Sequence, residues 1–136
     1  DHDVRDMARL GLFRHFGDVA IPGLVEAMRN NCWFMAGVEL EMIGTPATVR
    51  ALTQALEDRD VRVRRGAASA LYGIQLHKGR TQPELDSAFR EAFPFLKRVM
   101  KSDCDKEVAR LSARILCGFA QRWPWKPCYP QPCPSR

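Results

Sequence analysis

The chain has 136 residues, of which 46% are hydrophobic and 27% are charged, and its formal net charge at pH 7 is +5. This length suits one domain, and the composition is ordinary for a soluble globular protein. No apolar run approaches the roughly 20 residues of a membrane-spanning helix, so we expect no membrane partner. The modest basic excess favours an acidic partner or a polyanion.

The cysteines argue for a reducing compartment. Five are present, which is an odd number, and no secretory signal pattern accompanies them. A disulfide framework is therefore not expected, and we predict a cytoplasmic protein. Four residues, two of them prolines, separate Cys128 from Cys133. A structural zinc site usually has closer cysteine pairs, so no metal is predicted, and a disulfide between these two would need an oxidising compartment.

Helical patterns begin near the start of the chain. The first lies in the segment from Asp3 to Phe16, where apolar residues recur at helical spacing, and Gly17 then marks a stop. The next helix begins near Pro22, which suits a first turn because proline lacks the N–H that would be unpaired there. Two consecutive asparagines after Met28 and Arg29 predict its end.

A third helix is predicted from about Cys32 to Ile43, with Gly44 as its stop signal. Thr45 and Pro46 restart the chain as an N-cap residue followed by a proline in the first turn. The amphipathic helix that follows leads to an acidic stretch. These signals predict two successive helices joined by a short turn.

The stretch from Asp58 to Ile74 has the clearest helical pattern. Acidic residues that can cap a helix precede small and apolar residues spaced along one face. The polar segment 75–82 is predicted to be a loop. Thr81 to Glu84 reads as a capping box for the next helix, in which Pro94 is expected to cause a kink or a restart.

The same pattern recurs along the chain, which indicates an array of repeats. The last helix, after a turn near Asp103, repeats the spacing of the stretch just described. The first gaps between equivalent residues are about thirty residues long, a period typical of stacked units that cannot bury their apolar faces alone. One small residue falls at the equivalent position of each repeat: Ala8, Ala36, Ala67 and Ser112.

Two segments carry a family resemblance. Residues 22–28, which begin Pro-Gly-Leu, and residues 60–71, which begin Asp-Val-Arg, resemble HEAT repeats of the short class that also occurs in phycobilin lyases and many adaptor proteins. The resemblance covers roughly Asp3 to Ala120. It implies an all-α solenoid of stacked antiparallel helix pairs, about three and a half repeats in residues 1–121.

The two ends of the chain have their own features. The first residue falls inside a repeat, so we expect the chain to be a fragment of a longer array. Residues 122–136 contain Trp123, Trp125 and five prolines. This composition predicts a separate C-terminal tail with local polyproline II structure.

The resemblance implies that the second helix of each pair lines a concave surface. Away from its buried face, the helix near residues 32–43 stays apolar, whereas the later helices present arginines. An apolar patch beside a basic patch suits a recognition surface. The alternative is that the tail or absent N-terminal repeats cover the apolar residues. The candidate partner-binding residues are Arg14, Phe34, Val38, Met42, Arg65, Ser69, Arg110 and Arg114.

Two further arginines have a structural interpretation. Arg5 and Arg64 each follow a valine at the start of a second helix. The resemblance implies that such an arginine pairs with a nearby aspartate, such as Asp3 or Asp60, in a ladder between repeats.

No catalytic constellation is visible. The three histidines are far apart in the repeat scheme, and no glycine loop typical of phosphate binding is present. We therefore predict a protein that is not an enzyme, has no cofactor, and docks another protein as an adaptor or scaffold. Nucleic-acid binding through the arginines is the alternative. A bilin lyase function is a third, for which Asp6 and Glu39 are the acidic residues near the apolar patch.

Overall fold

Helices dominate the computed structural model, which describes residues 14–30, 32–79 and 82–120. Within these ranges there is no β-strand, which confirms the all-α prediction. A short 3-10 helix, Arg14–Ala20, comes first. Six α-helices follow: α1 (Ile21–Ala27), α2 (Trp33–Ile43), α3 (Pro46–Ala55), α4 (Val61–His77), α5 (Glu84–Ser102) and α6 (Lys106–Ala120).

The α-helices form two layers. Helices α1, α3 and α5 are neighbours in the first layer, and α2, α4 and α6 are neighbours in the second. Each first-layer helix also packs on the second-layer helix that follows it in sequence. The chain therefore forms three stacked helix pairs over the described residues, which confirms the predicted α-solenoid.

Most predicted helix boundaries are correct because local capping chemistry decides them. Thr45 is the N-cap of α3 and forms a capping box with Thr48, and Pro46 occupies the first turn. Asp60 caps α4 by accepting a hydrogen bond from the backbone N–H of Arg62, 2.9 Å away. Gly44 ends α2 in the left-handed conformation, with φ of 55°.

Three local predictions in the second half were wrong in whole or in part. Helix α4 does not end at Ile74 but continues to His77, because the buried amide of Gln75 donates a 2.7 Å hydrogen bond to the carbonyl of Ile115 in α6. Helix α5 runs through Pro94, so the predicted restart does not occur, and the predicted kink stays a prediction. Burial of its apolar face outweighs the lost backbone hydrogen bond. The N-cap of α5 is Pro83 and not Thr81, and Pro83 makes no side-chain cap bond. The predicted bond between Glu84 and the N–H of Thr81 involves a residue outside the described part of the chain.

Small residues let the second-layer helices approach closely. Ala36 of α2 and Ala67 of α4 are completely buried, in line with the small-residue position of the repeats. A Cβ added at Gly37 would lie 3.2 Å from the carbonyl oxygen of Gly66 on the neighbouring helix. A larger side chain at Gly37 would push α2 away from α4, so the alanines and glycines set the spacing of the layer.

The turn inside each helix pair has the same construction. Asn30, Asp58 and Asp103 each accept a hydrogen bond through Oδ1 from the backbone N–H two residues further on, and all three bonds are 2.9 Å long. This side-chain turn satisfies a backbone donor and directs the chain into the second-layer helix.

Two of these turns are also held by an arginine from the preceding pair. Arg29 donates to both carboxylate oxygens of Asp58, at 2.7 and 2.6 Å. Arg64 donates from Nε to Asp103, at 2.8 Å. The predicted ladder at Arg64 therefore exists, but its partner is Asp103 of the next pair and not Asp60, which is engaged in capping. Arg5 and Asp3 lie outside the described residues.

We predict that the bond between Arg29 and Asp58 makes the free energy of unfolding depend on pH. The hydrogen bond from Arg29 holds the pKa of Asp58 below its usual range. The unfolded chain therefore binds the proton more readily, and the contribution of this bond is present above about pH 4 and is lost as pH falls. Asp58→Asn should lower the free energy of unfolding at pH 7, and its difference from the wild type should shrink toward pH 2. Urea denaturation across this pH range measures both effects.

Asparagine at position 58 keeps the turn, because Asn30 already makes the same bond. Glu84→Gln, which removes an exposed carboxylate elsewhere, controls for the change in net charge. A difference between Asp58→Asn and the wild type that stays constant with pH would contradict the ionic role of Asp58.

Ser112 provides a second stability prediction. Its hydroxyl oxygen is buried and has no hydrogen-bond partner among the described residues. A buried polar group without a partner costs about 1–3 kcal/mol. Ser112→Ala should therefore raise the free energy of unfolding by about 1 kcal/mol in urea denaturation. Ser87→Ala, at an exposed position of α5, reports the gain from helix propensity alone. A destabilised Ser112→Ala variant would mean that the hydroxyl has a partner.

Candidate functional site

The candidate surface is the solvent-facing side of the second layer, which we call the open face. It combines the exposed residues of three neighbouring helices, because α2, α4 and α6 pack side by side while the first layer covers their other side. Helical spacing places its residues in three stripes. They are Phe34, Val38 and Met42 on α2; Arg65, Ser69, Tyr72 and Leu76 on α4; and Arg110, Arg114 and Gly118 on α6.

The α2 stripe is apolar and accessible. Phe34 is 54% exposed and Met42 is 51% exposed, with Val38 half-buried between them. Helix α2 thus has apolar residues on the side that faces solvent as well as on the side that packs against α1 and α4. Large exposed apolar side chains at helical spacing are the usual anchors of protein contacts.

Two of the three predicted arginines that lie on the open face already have carboxylate partners. Arg65 donates from Nη2 to Asp105, the acidic residue at the start of α6, at 2.6 Å. Arg110 donates to Glu107 on its own helix, at 2.7 Å. Burial alone would raise the pKa of Asp105, but hydrogen bonds from Arg65 and the N–H of Val108 hold it below its usual range. Arg65 therefore belongs to the contacts that join α4 to α6.

Arg114 differs from these two. Among the described residues it makes no ion pair, and its guanidinium lies 6.0 Å from the ring centroid of Tyr72. The two side chains border a cavity of about 390 Å³ between α4 and α6. This volume lies in the range of ligand-binding pockets. Its walls are formed by Tyr72, Gln75, Leu76, Gly79, Arg114, Cys117, Gly118 and Phe119.

The far ends of α2 and α4 carry charged groups beside the apolar stripe. The carboxylate of Glu41 lies against Gly73, where any side chain would overlap it. Burial raises the pKa of Glu41, although His77 lies 3.7 Å away and favours the charged form. Lys78 donates a 2.8 Å hydrogen bond to the carbonyl of Met42, so it caps the end of α2. The α2 stripe is therefore flanked at this end by groups of both charge signs.

The structure brings most of the predicted site residues onto one surface. Ser69 is half-buried in the α4 stripe, and Arg14 begins the 3-10 helix, with its side chain outside the described part. Sequence reasoning missed Tyr72, Leu76 and Cys117. Both Tyr72 and Leu76 follow Arg65 at helical spacing. Leu76 lies beyond the predicted end of the helix at Ile74, whereas Tyr72 lies within the predicted helix and was not assigned to its solvent-facing side.

The described ranges were also searched for potential metal ligands and for the acidic and cysteine residues considered from the sequence. No cluster of three or more potential metal ligands occurs there. Glu39, one of two acidic residues considered for chromophore chemistry, is only 4% exposed and lies in the core rather than on the open face; Asp6 is outside the described residues. Cys32 is buried, Cys104 is exposed, and Cys117 lines the cavity, all three without a disulfide.

Comparison with known proteins identifies the architecture. Among the described helices, none is long and apolar enough to cross a membrane. No curated protein and no solved structure is significantly similar to this chain. A family model of HEAT repeats matches residues 18–117, which include all six α-helices except the last turn of α6. The chain therefore belongs to the HEAT-repeat family.

Proposed function

We propose that this protein is a scaffold or adaptor that binds a partner protein on the open face, with the α2 stripe as the apolar anchor. HEAT repeats generally mediate protein interactions, and stacked repeats offer extended surfaces for that purpose. The single observation that carries the proposal is the exposure of Phe34 and Met42 on a helix whose other side is fully packed. Exposed apolar anchors of this kind supply most of the binding energy in protein interfaces.

The charges around the anchor favour a partner surface that carries both apolar and acidic residues. Arg114 is available to a carboxylate of the partner, since it forms no ion pair with the described residues. Arg65 and Arg110 are already neutralised by Asp105 and Glu107. A partner helix or extended segment that presents apolar residues toward α2 and an acidic residue toward α6 matches this pattern.

The same pairing argues against nucleic acid as the main ligand. Affinity for a polyanion grows with the number of cations that are free to displace counterions. On the open face, carboxylates alternate with the arginines, and two of the three arginines form ion pairs.

We also propose that the protein meets its partner in the cytoplasm, because the cysteine composition favours a reducing compartment.

The first experiment is capture of partners by the tagged protein from a native lysate, with and without nuclease. We expect one stoichiometric protein to survive nuclease treatment, because the anchor is apolar and the basic groups are mostly paired. A bound pool that disappears with nuclease, and whose binding falls steeply with salt, would instead favour nucleic acid.

Substitution of the anchor tests its location. Phe34→Asp with Met42→Asp should weaken binding of that partner on the order of ten-fold or more. The reason is that two apolar side chains at the contact are replaced by carboxylates, which would have to lose their hydration on binding. Titration calorimetry with the purified partner measures the loss. Both residues are more than half exposed, so the fold should tolerate the change.

The matched control places the same two charges on the first layer, as Gln54→Asp with Ser87→Asp, where both positions are exposed. This control should bind as the wild type does. Equal weakening by the two double variants would mean that the added negative charge, and not the α2 stripe, determines binding.

A further inference from the structure

The second layer holds α2, α4 and α6 in register across the open face. The carboxylate of Glu41 on α2 lies against Gly73 of α4, and the side-chain amide of Gln75 on α4 lies against Gly118 of α6. These two contacts join the helices at corresponding levels, so the α2 stripe and Arg114 face the same side. Axes of packed helices are about 8–10 Å apart, which puts the axis of α2 about 16–20 Å from that of α6.

The two ends of this span attract different groups. Phe34 and Met42 are both more than half exposed on α2. Arg114 is exposed on α6 and forms no ion pair with the described residues, and its guanidinium lies 6.0 Å from the ring centroid of Tyr72. An apolar anchor at one end and this cation at the other are complementary to a ligand that carries an apolar side chain and a carboxylate.

The surface between Val38 and Arg114 is polar. Ser69 of α4 is half-buried there, and the carboxylate of Glu41, whose side chain is 25% exposed, lies between α2 and α4. A partner helix would need an apolar seat at this place, because its own backbone groups are already paired. An extended segment has backbone N–H groups without partners, and the oxygens of Ser69 and Glu41 can accept hydrogen bonds from them.

We propose that the open face binds an extended segment of the partner protein, with an apolar side chain on the α2 stripe and a carboxylate on Arg114, four or six residues apart. This inference rests on the proposed function. Side chains of an extended segment alternate between two sides, so two residues that both face the protein are an even number of positions apart. At about 3.3 Å per residue, six positions span about 20 Å and four span about 13 Å, with the long side chain of Arg114 covering the remainder.

Selection from a phage-displayed library of random dodecapeptides on the purified full chain tests the proposal. We expect the selected peptides to share an apolar residue and an aspartate or glutamate four or six positions away. With Arg114→Glu, the acidic preference should be replaced by lysine or arginine, because the charge at the contact is reversed. Arg59→Glu makes the same charge change at an exposed position in the turn between α3 and α4, and the acidic preference should remain.

The affinity of one selected peptide, measured by fluorescence polarisation, provides a second readout. Arg114→Gln should weaken binding about five-fold at low salt, the size of effect typical of an exposed ion pair. The difference from the wild type should shrink at high salt, because added ions screen the charges. Arg114→Lys keeps the charge and should retain most of the affinity.

The outcomes separate this inference from the proposed function. Peptides without a preferred acidic position, with an odd separation, or with a preference that Arg114→Glu leaves unchanged would overturn the extended segment and leave the apolar anchor in place. No enrichment over the bare support would also overturn it, since the proposed function does not require a short segment. Selected peptides whose binding survives Phe34→Asp with Met42→Asp would instead contradict the proposed function.

Discussion

The structure depends on the carboxylate in the turn of one helix pair and the arginine that reaches it from the preceding pair. Asp58 and Asp103 each use one oxygen to shape their own turn and also receive an arginine from the neighbouring unit. A single side chain thus couples local chain direction to the stacking of repeats. Since each repeat contacts mainly its neighbours, the regularity of the array follows from repetition of this one arrangement.

This arrangement also determines which charges remain for other molecules. Arg65 is bonded to Asp105 across α4 and α6, so it stabilises the stack and has little left to offer a ligand. The close packing of Gly37 against Gly66 holds α2 beside α4 and fixes the position of the apolar stripe. Among the described residues, the open face that results is apolar at α2, and Arg114 is its arginine without an ion pair. This arrangement supports the proposal of a protein partner over a polyanion.

The sequence predicted those features of the fold that local chemistry determines. The cap at Thr45, the proline at 46, the glycine stop at 44 and the buried alanines at 36 and 67 all act within a few residues, and each was correctly placed. Predictions failed where a distant residue decides the outcome. Gln75 remains helical because it bonds to a carbonyl 40 residues away.

The candidate site likewise has features that follow from local sequence and features that depend on distant residues. Phe34, Val38 and Met42 were found because an apolar stripe on the solvent side is visible from spacing alone. The partner of Arg65 lies 40 residues away, so its neutralisation was invisible before the structure. The cavity beside Arg114 forms only where α4 and α6 pack side by side, and residue spacing within one helix does not reveal that packing.

The proposed binding of a partner protein at the α2 stripe can be tested by photo-crosslinking. A photoreactive phenylalanine analogue at position 34 is compared with the same analogue at position 54 on the first layer. We expect one partner protein to be crosslinked from position 34 and not from position 54. Crosslinking of that protein from position 54 alone, or equally from both positions, would contradict it.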